Sequence, residues 1–369
     1  MTILPARHAA LLNDPLARRS IEVLKRGQAP SGALVASPSF PTYAYAWLRD
    51  GAFCAHALDV AGEADAAAAF HQWATRSVEA RRPMIEAVIE RVADGETPSA
   101  AEMPPARYTL TGDLEGSDAD GETWPNFQID GYGIWLWALD AHLAGRAPDA
   151  ATAETIRLVA RYLESSWRLR CFSCWEEYDD GEHGGTLGAV VAGIDAAGRL
   201  LRDDSFAGAA SAVRARLLEA YLVDGRFRRG PRDDRLDGSL LWLSVPFGVL
   251  PPGDSRIVAT IEAIHRDLAG PGGGVYRYLG DTYYGGGQWL LLTSSLAWHE
   301  AMSGNREAAT ALQDWVRAQE RPNGDLPEQV TGQPLDVAMV QPWVDRWGPV
   351  ATPLLWSHAM YLIAEVAAR

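Results

Sequence analysis

Apolar positions recur along this chain mainly at helical spacing. Leu187, Val190, Val191 and Ile194 fall at i, i+3, i+4 and i+7, one stripe on one helix face. Patterns of this kind predict helices over 8–27, 48–62, 64–93, 130–145, 152–168, 184–199, 205–222, 237–246, 254–268, 288–303, 305–319 and 353–367. The segment 305–319 starts after Gly304-Asn305 and stops before Pro322-Asn323-Gly324, a clear beginning and end. No alternating run is long enough to predict a sheet. Short pieces such as Arg107–Leu110 suit hairpins inside loops.

The predicted helices, about twelve of them, tend to come in close pairs, and many are rich in Ala and Gly, which permits close packing. That pattern predicts an all-α fold, an (α/α)6 barrel of two concentric rings. No Ser/Gly tract, charge block or low-complexity run divides the chain, so residues 1–369 read as a single domain. Long polar connections over 28–46, 94–128, 169–183, 270–287 and 320–350 alternate with short ones. They hold most of the Trp, Tyr, Arg and carboxylate residues, so they are expected to form one rim of the barrel, where a pocket is built.

Composition sharpens this picture. The chain has 14 Trp against 8 Phe, an inversion that core building alone rarely produces, because a buried indole N–H needs a partner. Trp47 stands before Arg49-Asp50, and Trp175 before Glu176-Glu177. A flat indole beside a carboxylate suits a sugar: the ring packs on the C–H face while the carboxylate takes hydroxyls or moves protons. The net charge of −15 argues against nucleic acid or an anionic membrane and is compatible with a neutral ligand. The N-terminal stretch lacks the apolar core of a secretion signal, and no segment approaches the roughly eighteen apolar residues of a membrane span. Three cysteines make a disulfide framework unexpected. Cys171 and Cys174 read as reduced, partly buried thiols, and a cytoplasmic location is expected.

Two loop glutamates fit an acid–base pair for hydrolysing a glycoside. An inverting reaction needs one carboxylic acid for the leaving oxygen and one carboxylate for the attacking water, roughly 6.5–9.5 Å apart. Glu176 follows Trp175, an apolar neighbour expected to raise its carboxyl toward an acid's range. Glu328 lies in Leu326-Pro327-Glu328-Gln329, where Pro327 stiffens the loop.

In chain order, several segments now resemble glycoside hydrolase family 15, the glucoamylase-type enzymes. Tyr43-Ala44-Tyr45-Ala46-Trp47-Leu48-Arg49-Asp50 is similar to the family's Tyr-x-x-x-Trp-x-Arg-Asp segment. The resemblance implies that Arg49 and Asp50 hold hydroxyls at the closed end of the pocket, lined by Tyr43 and Trp47. Trp124-Pro125-Asn126-Phe127-Gln128-Ile129-Asp130-Gly131 resembles the loop that places a Trp, here Trp124, over the scissile region. Trp175-Glu176-Glu177 resembles the general-acid motif, with Glu176 the acid and Glu177 a substrate contact. Arg277-Tyr278-Leu279-Gly280-Asp281-Thr282-Tyr283-Tyr284, with Trp289, resembles a loop whose Arg contacts the first sugar. Glu328-Gln329 resembles the catalytic-base segment, followed by Pro353-Leu354-Leu355-Trp356-Ser357-His358-Ala359.

The resemblance implies a metal-free, cofactor-free, exo-acting and inverting hydrolase that releases β-glucose from the non-reducing end of an α-glucoside. The β-sandwich and starch-binding modules of larger relatives are not recognisable here. The expected substrate is therefore a small α-gluco-oligosaccharide or disaccharide, with isomaltose-like α-1,6 linkages ahead of α-1,4, acted on by a monomer or small homo-oligomer. An α,α-trehalase and a non-catalytic sugar-binding domain are the alternatives. An epimerase on the same barrel would call for His-based proton chemistry, and the eight histidines are scattered. Asp281 is expected to brace its loop, and Trp356 and His358 to be helix core residues.

Overall fold

A helix that is apolar all round has to be enclosed, whereas one with a single apolar stripe covers something else. The computed structural model, which describes residues 11–115, 124–178 and 181–369, sorts its helices in this way. They are α1 (Pro15–Arg26), α2 (Leu48–Val60), α3 (Ala64–Glu79), α4 (Arg82–Ala93), α5 (Asp130–Leu143), α6 (Ala150–Ser166), α7 (Gly184–Leu201), α8 (Ala207–Ala220), α9 (Ser255–Asp267), α10 (Leu290–Met302), α11 (Arg306–Arg317), α12 (Val340–Trp347) and α13 (Leu355–Ala368). Every residue of α10 from Leu290 to Glu300 is buried, and in α13 every residue from Leu355 to Val366. In α1 and α11 only one face is covered.

The enclosed elements form a closed inner ring. α2 packs on α5, α5 on α7, α7 on a 3-10 turn at Gly238–Leu243, that turn on α10, α10 on α13, and α13 back on α2. Outside them stand α1, α3, α6, α8, α9 and α11, each against its inner neighbour. This is the expected (α/α)6 barrel. α4 is an addition that packs on α6, and α12 sits on the rim against Tyr283–Gly285. No helix among the described residues is long and apolar enough to cross a membrane.

Four expectations need correction. The single helix predicted over 64–93 is two, α3 and α4, broken at Ala80-Arg81. Pro83 lacks an N–H and disfavours the helical conformation in Arg82 before it, so it fits the first turn of a new helix rather than the middle of an old one. The helix expected over 237–246 is a 3-10 turn opened by Asp237, whose side chain accepts from the Ser239 N–H. The connection 320–350 contains the two-turn helix α12. Arg107-Tyr108 does not form a local hairpin; it pairs antiparallel with Ala46-Trp47, in the register Ala46↔Tyr108 and Trp47↔Arg107. The predicted start at residue 8 lies outside the described residues.

The short strands serve position more than stability. Gln288-Trp289 pairs with Val275-Tyr276 on one side and with Gln329-Val330 on the other. Glu328 is thereby fixed at the mouth of α10: its carbonyl accepts from the Leu290 N–H at 3.3 Å and its own N–H donates to Ala351 at 3.0 Å. Trp47 and Trp289 each end a strand and cap the next inner helix.

Glycine allows the inner helices to touch. A Cβ on Gly133 of α5 would lie 2.3 Å from the Ala189 carbonyl oxygen of α7, and one on Gly193 would lie 2.5 Å from the Gly133 Cα. Both obstacles are backbone, so neither can turn aside. Gly133→Ala is expected to cost about 1–3 kcal/mol by forcing the two helices apart. Gly208→Ala in α8, where a Cβ meets nothing within 4 Å, should instead stabilise by about 0.4–1 kcal/mol. Thermal unfolding of the two variants beside the parent checks both signs.

Candidate active site

The inner helices start at the same end of the barrel, and a cavity of about 740 Å³ opens there. Each helix N-terminus carries partial positive charge, which favours carboxylates at that end. All ten residues singled out in the sequence line the cavity: Tyr43, Trp47, Arg49, Asp50, Trp124, Glu176, Glu177, Arg277, Trp289 and Glu328. Trp356, expected in the core, also lines it, with the Arg49 guanidinium 5.7 Å from its ring centre.

Arg49 anchors the deep wall. It is 5 % exposed and donates to Gln128 Oε1 at 2.6 Å and to Asp130 Oδ2 at 3.2 Å. Its Nε lies 3.4 Å from Asp50 Oδ2 and its Nη2 3.8 Å from Glu176 Oε1. Arg49 and Asp50 thus form an ion pair, and both residues also face the cavity. Arg49 Nε, Asp50 Oδ2 and Asp130 Oδ1 are buried without a hydrogen-bond partner among the described residues. Burial pushes the Asp50 carboxyl up to about 7, against the pull of Arg49 and with the repulsion of Glu176 and Asp130.

Glu176 is held on one oxygen. Its Oε1 accepts from the indole N–H of Trp47 at 2.6 Å, that of Trp124 at 2.9 Å and the Gln128 amide at 3.0 Å. The shelter expected from Trp175 is not what surrounds this carboxyl. Trp175 turns its N–H to Asp237 Oδ1 at 3.0 Å, and Glu176 meets polar N–H donors instead. Glu177, the next residue, reaches the opposite side. Its Oε1 accepts from Arg277 Nη2 at 3.1 Å, and its Oε2 accepts from the Tyr278 hydroxyl. Asp281 braces this wall by taking two bonds from Arg277, at 2.6 and 2.7 Å. His358 is satisfied in the core between Ser20 Oγ and the Leu326 N–H.

Glu328 is 3 % exposed, and its Oε2 has no partner among the described residues. Burial raises its carboxyl to about 8, opposed first by the Arg277 charge and then by hydrogen bonding from Tyr43 and Tyr283. The hydroxyls of those two tyrosines pair at 2.7 Å.

Several lining residues were not singled out in the sequence. Arg107, bonded to Glu115, lies 3.7 Å from the Trp124 ring centre and 4.2 Å from that of Tyr45. Trp343 and Trp347 come from α12; their i, i+4 spacing was the available signal. Tyr283 lay inside a quoted segment without a role. Cys171 and Cys174 are free and fully buried rather than partly so.

The family model described as glycosyl hydrolases family 15 matches residues 13–335. The chain belongs to that family. As a family 15 protein it is a glycoside hydrolase. It is 39% identical to the isomaltose glucohydrolase of Kribbella flavida over 370 residues, 98% of this chain and 94% of that one. A wild-type glycosidase of known structure is 38% identical with a TM-score of 0.91, covering all of both chains. A bacterial glucoamylase complexed with acarbose is 19% identical with a TM-score of 0.73, over 96% of this chain and 55% of that one, a likeness of fold.

The raised carboxyl of Glu328 has a stability consequence. Between the ordinary 4.5 and about 8 the folded protein keeps a proton that the unfolded chain has lost, so its stability declines as pH rises through that window. Glu328→Gln cannot ionise. Its unfolding free energy should match the parent near pH 4.5 and exceed it progressively toward pH 8, by on the order of a few kcal/mol, with Tm rising in step. Asp50 acts in the same direction over 3.8 to about 7 in both proteins. A difference that shrinks with rising pH would contradict this burial effect.

Proposed function

We propose that this family 15 enzyme removes glucose from the non-reducing end of small α-glucosides with inversion, isomaltose-like α-1,6 linkages ahead of α-1,4, with the whole helical ring as its catalytic unit. The observation that carries the reading is the contrast between two carboxyls lining one cavity. Glu176 is fixed through Oε1 by three donors, while no donor among the described residues bonds its Oε2. Glu328 is buried with Oε2 unpartnered. The first arrangement suits an oxygen that carries a proton to the glycosidic bond; the second suits an oxygen that takes one from water.

In this reading the terminal sugar enters against Arg49, Asp50 and Asp130, whose unpartnered atoms match ring hydroxyls that both donate and accept. Arg277 and Glu177 hold the sugar from the other wall, and Tyr43, Trp47, Trp124 and Trp289 enclose it. Glu176 protonates the leaving oxygen. Glu328 deprotonates a water that attacks the anomeric carbon from the opposite face, and β-glucose results. A water donating to Glu328 Oε2 favours its charged form and so offsets the burial that raises this carboxyl. The α-1,6 preference draws on the similarity to the Kribbella flavida isomaltose glucohydrolase. A glycosidase variant solved in complex with glucose, 37% identical with a TM-score of 0.91, is consistent with a glucose-sized terminal site.

Proton NMR of the first product from isomaltose, maltose and α,α-trehalose tests linkage and stereochemistry together. β-Glucose should appear first, and fastest from isomaltose. Initial α-glucose would exclude Glu328 as a base, and faster release from trehalose would favour a trehalase. Glu176→Gln and Glu328→Gln should each lower kcat by several orders of magnitude with the fold intact. Glu177→Gln should raise KM as well as lower kcat.

A further inference from the structure

Away from the cavity, the other ends of two inner helices bring together a second set of chemically capable side chains. Asp59 is the penultimate residue of α2, and His142 the penultimate residue of α5. Asp59 stands nine residues beyond Asp50, about 14 Å along the axis at 1.5 Å per residue. His142 Nδ1 lies 2.9 and 3.0 Å from the two Asp59 oxygens. His71, on the outer helix α3, completes the group: its ring centre is 4.9 Å from that of His142. One ligand atom from each of the three residues lies within 4.8 Å of the other two.

His71 is the unexplained member. It is 4 % exposed, yet neither ring nitrogen has a hydrogen-bond partner among the described residues. A buried imidazole must carry one N–H and one lone pair, and leaving both unused incurs the full desolvation penalty of each orphaned group. The setting is electrostatically suited to a cation. Asp59 and His142 lie in the last turns of their helices, where the carbonyl ends concentrate negative potential.

We propose that Asp59, His71 and His142 form a zinc site that fastens α2, α3 and α5 at the end of the barrel remote from the cavity. Two imidazoles and one carboxylate suit Zn²⁺, whereas Mg²⁺ and Ca²⁺ favour all-oxygen shells. Zinc bonds of 2.0–2.2 Å place tetrahedral ligand atoms about 3.3 Å apart, so side chains now within 4.8 Å close in by roughly an ångström. The metal replaces the proton that His142 shares with Asp59, and that proton leaves to the other ring nitrogen or to solvent. A fourth position remains for water. The role is structural: zinc binds the folded state and therefore stabilises it.

The test uses chelator-stripped full-length protein, with Zn²⁺ alone as the probe. Isothermal titration should give one equivalent bound per chain, and Tm should rise with Zn²⁺ concentration but not with Mg²⁺. Co²⁺ in place of Zn²⁺ should give the visible absorption of a low-coordinate nitrogen–oxygen site. Asp59→Asn, nearly isosteric, and His71→Phe, which fills the space without a ligand atom, should each lose the stoichiometric binding and the Tm shift while circular dichroism is unchanged. Glucose release should be the same with and without zinc. A parent Tm that ignores Zn²⁺, or an equal shift in both variants, would overturn the site.

Discussion

A guanidinium buried at the inner end of the cavity is the constraint around which this molecule is arranged. Arg49 cannot give up its charge, and an uncompensated charge in the interior costs several kcal/mol. Its surroundings therefore have to be anionic. Asp50 and Asp130 sit in the first turns of α2 and α5, and Glu176 sits in the loop ahead of α7. Three carboxyls stand around one cation, and burial first, then the repulsion of Glu176 and Asp130, raises the Asp50 carboxyl against the pull of Arg49. A proton held there removes one of the like charges. The cluster then carries a single net negative charge and keeps Arg49 Nε, Asp50 Oδ2 and Asp130 Oδ1 without a hydrogen-bond partner among the described residues.

The tryptophans divide between two tasks. Seven of the fourteen line the cavity, while Trp73, Trp135 and Trp242 are among the largest fully buried side chains. The inverted Trp:Phe ratio therefore pointed to an indole-lined cavity, but not for each indole individually. Trp175 joins both groups, its ring against Trp242 and Trp289 and its N–H on Asp237. Trp47 and Trp124 use their N–H groups on the Glu176 carboxylate, so these rings serve as donors as well as walls.

What was legible in the sequence follows from how far each signal extends. A helix enclosed on all sides is apolar or small at most positions, as in Leu290–Trp298 of α10 and Ala359–Ala364 of α13, and these helices could hardly be missed. The site motifs were legible because Arg49-Asp50 lie in the first turn of α2 and Glu176-Glu177 directly follow Trp175 in the loop before α7. A two-residue strand has no periodicity to detect, so the pairing of Arg107 with Trp47 across the chain was invisible, and with it Arg107 as a wall residue. α12 was missed because Pro342 near its start reads as a breaker, although Trp343 and Trp347 share one face. The histidines looked scattered because Asp59, His71 and His142 come from three different helices.

The backbone around Glu176 shows why residue identity alone did not reveal the site's geometry. Neighbouring side chains in an extended strand would also point apart, but here the separation is made by a turn. Glu176 has φ of 65° and Tyr178 of 60°, a left-handed conformation that costs a non-glycine residue roughly 1–2 kcal/mol. The turn is closed by Glu176 N–H on the Ser173 carbonyl at 2.9 Å and Ser173 N–H on the Glu177 carbonyl at 2.8 Å. It directs one carboxylate toward Trp47 and Trp124 and the next toward Arg277 and Tyr278. Glycine would adopt this backbone without strain, yet it would supply no oxygen to the three donors that hold Glu176. Strain of this size persists only where the surroundings over-determine it. Three N–H bonds to a single oxygen meet that condition, which makes the loop, rather than any helix, the element that sets the separation of the two carboxylates.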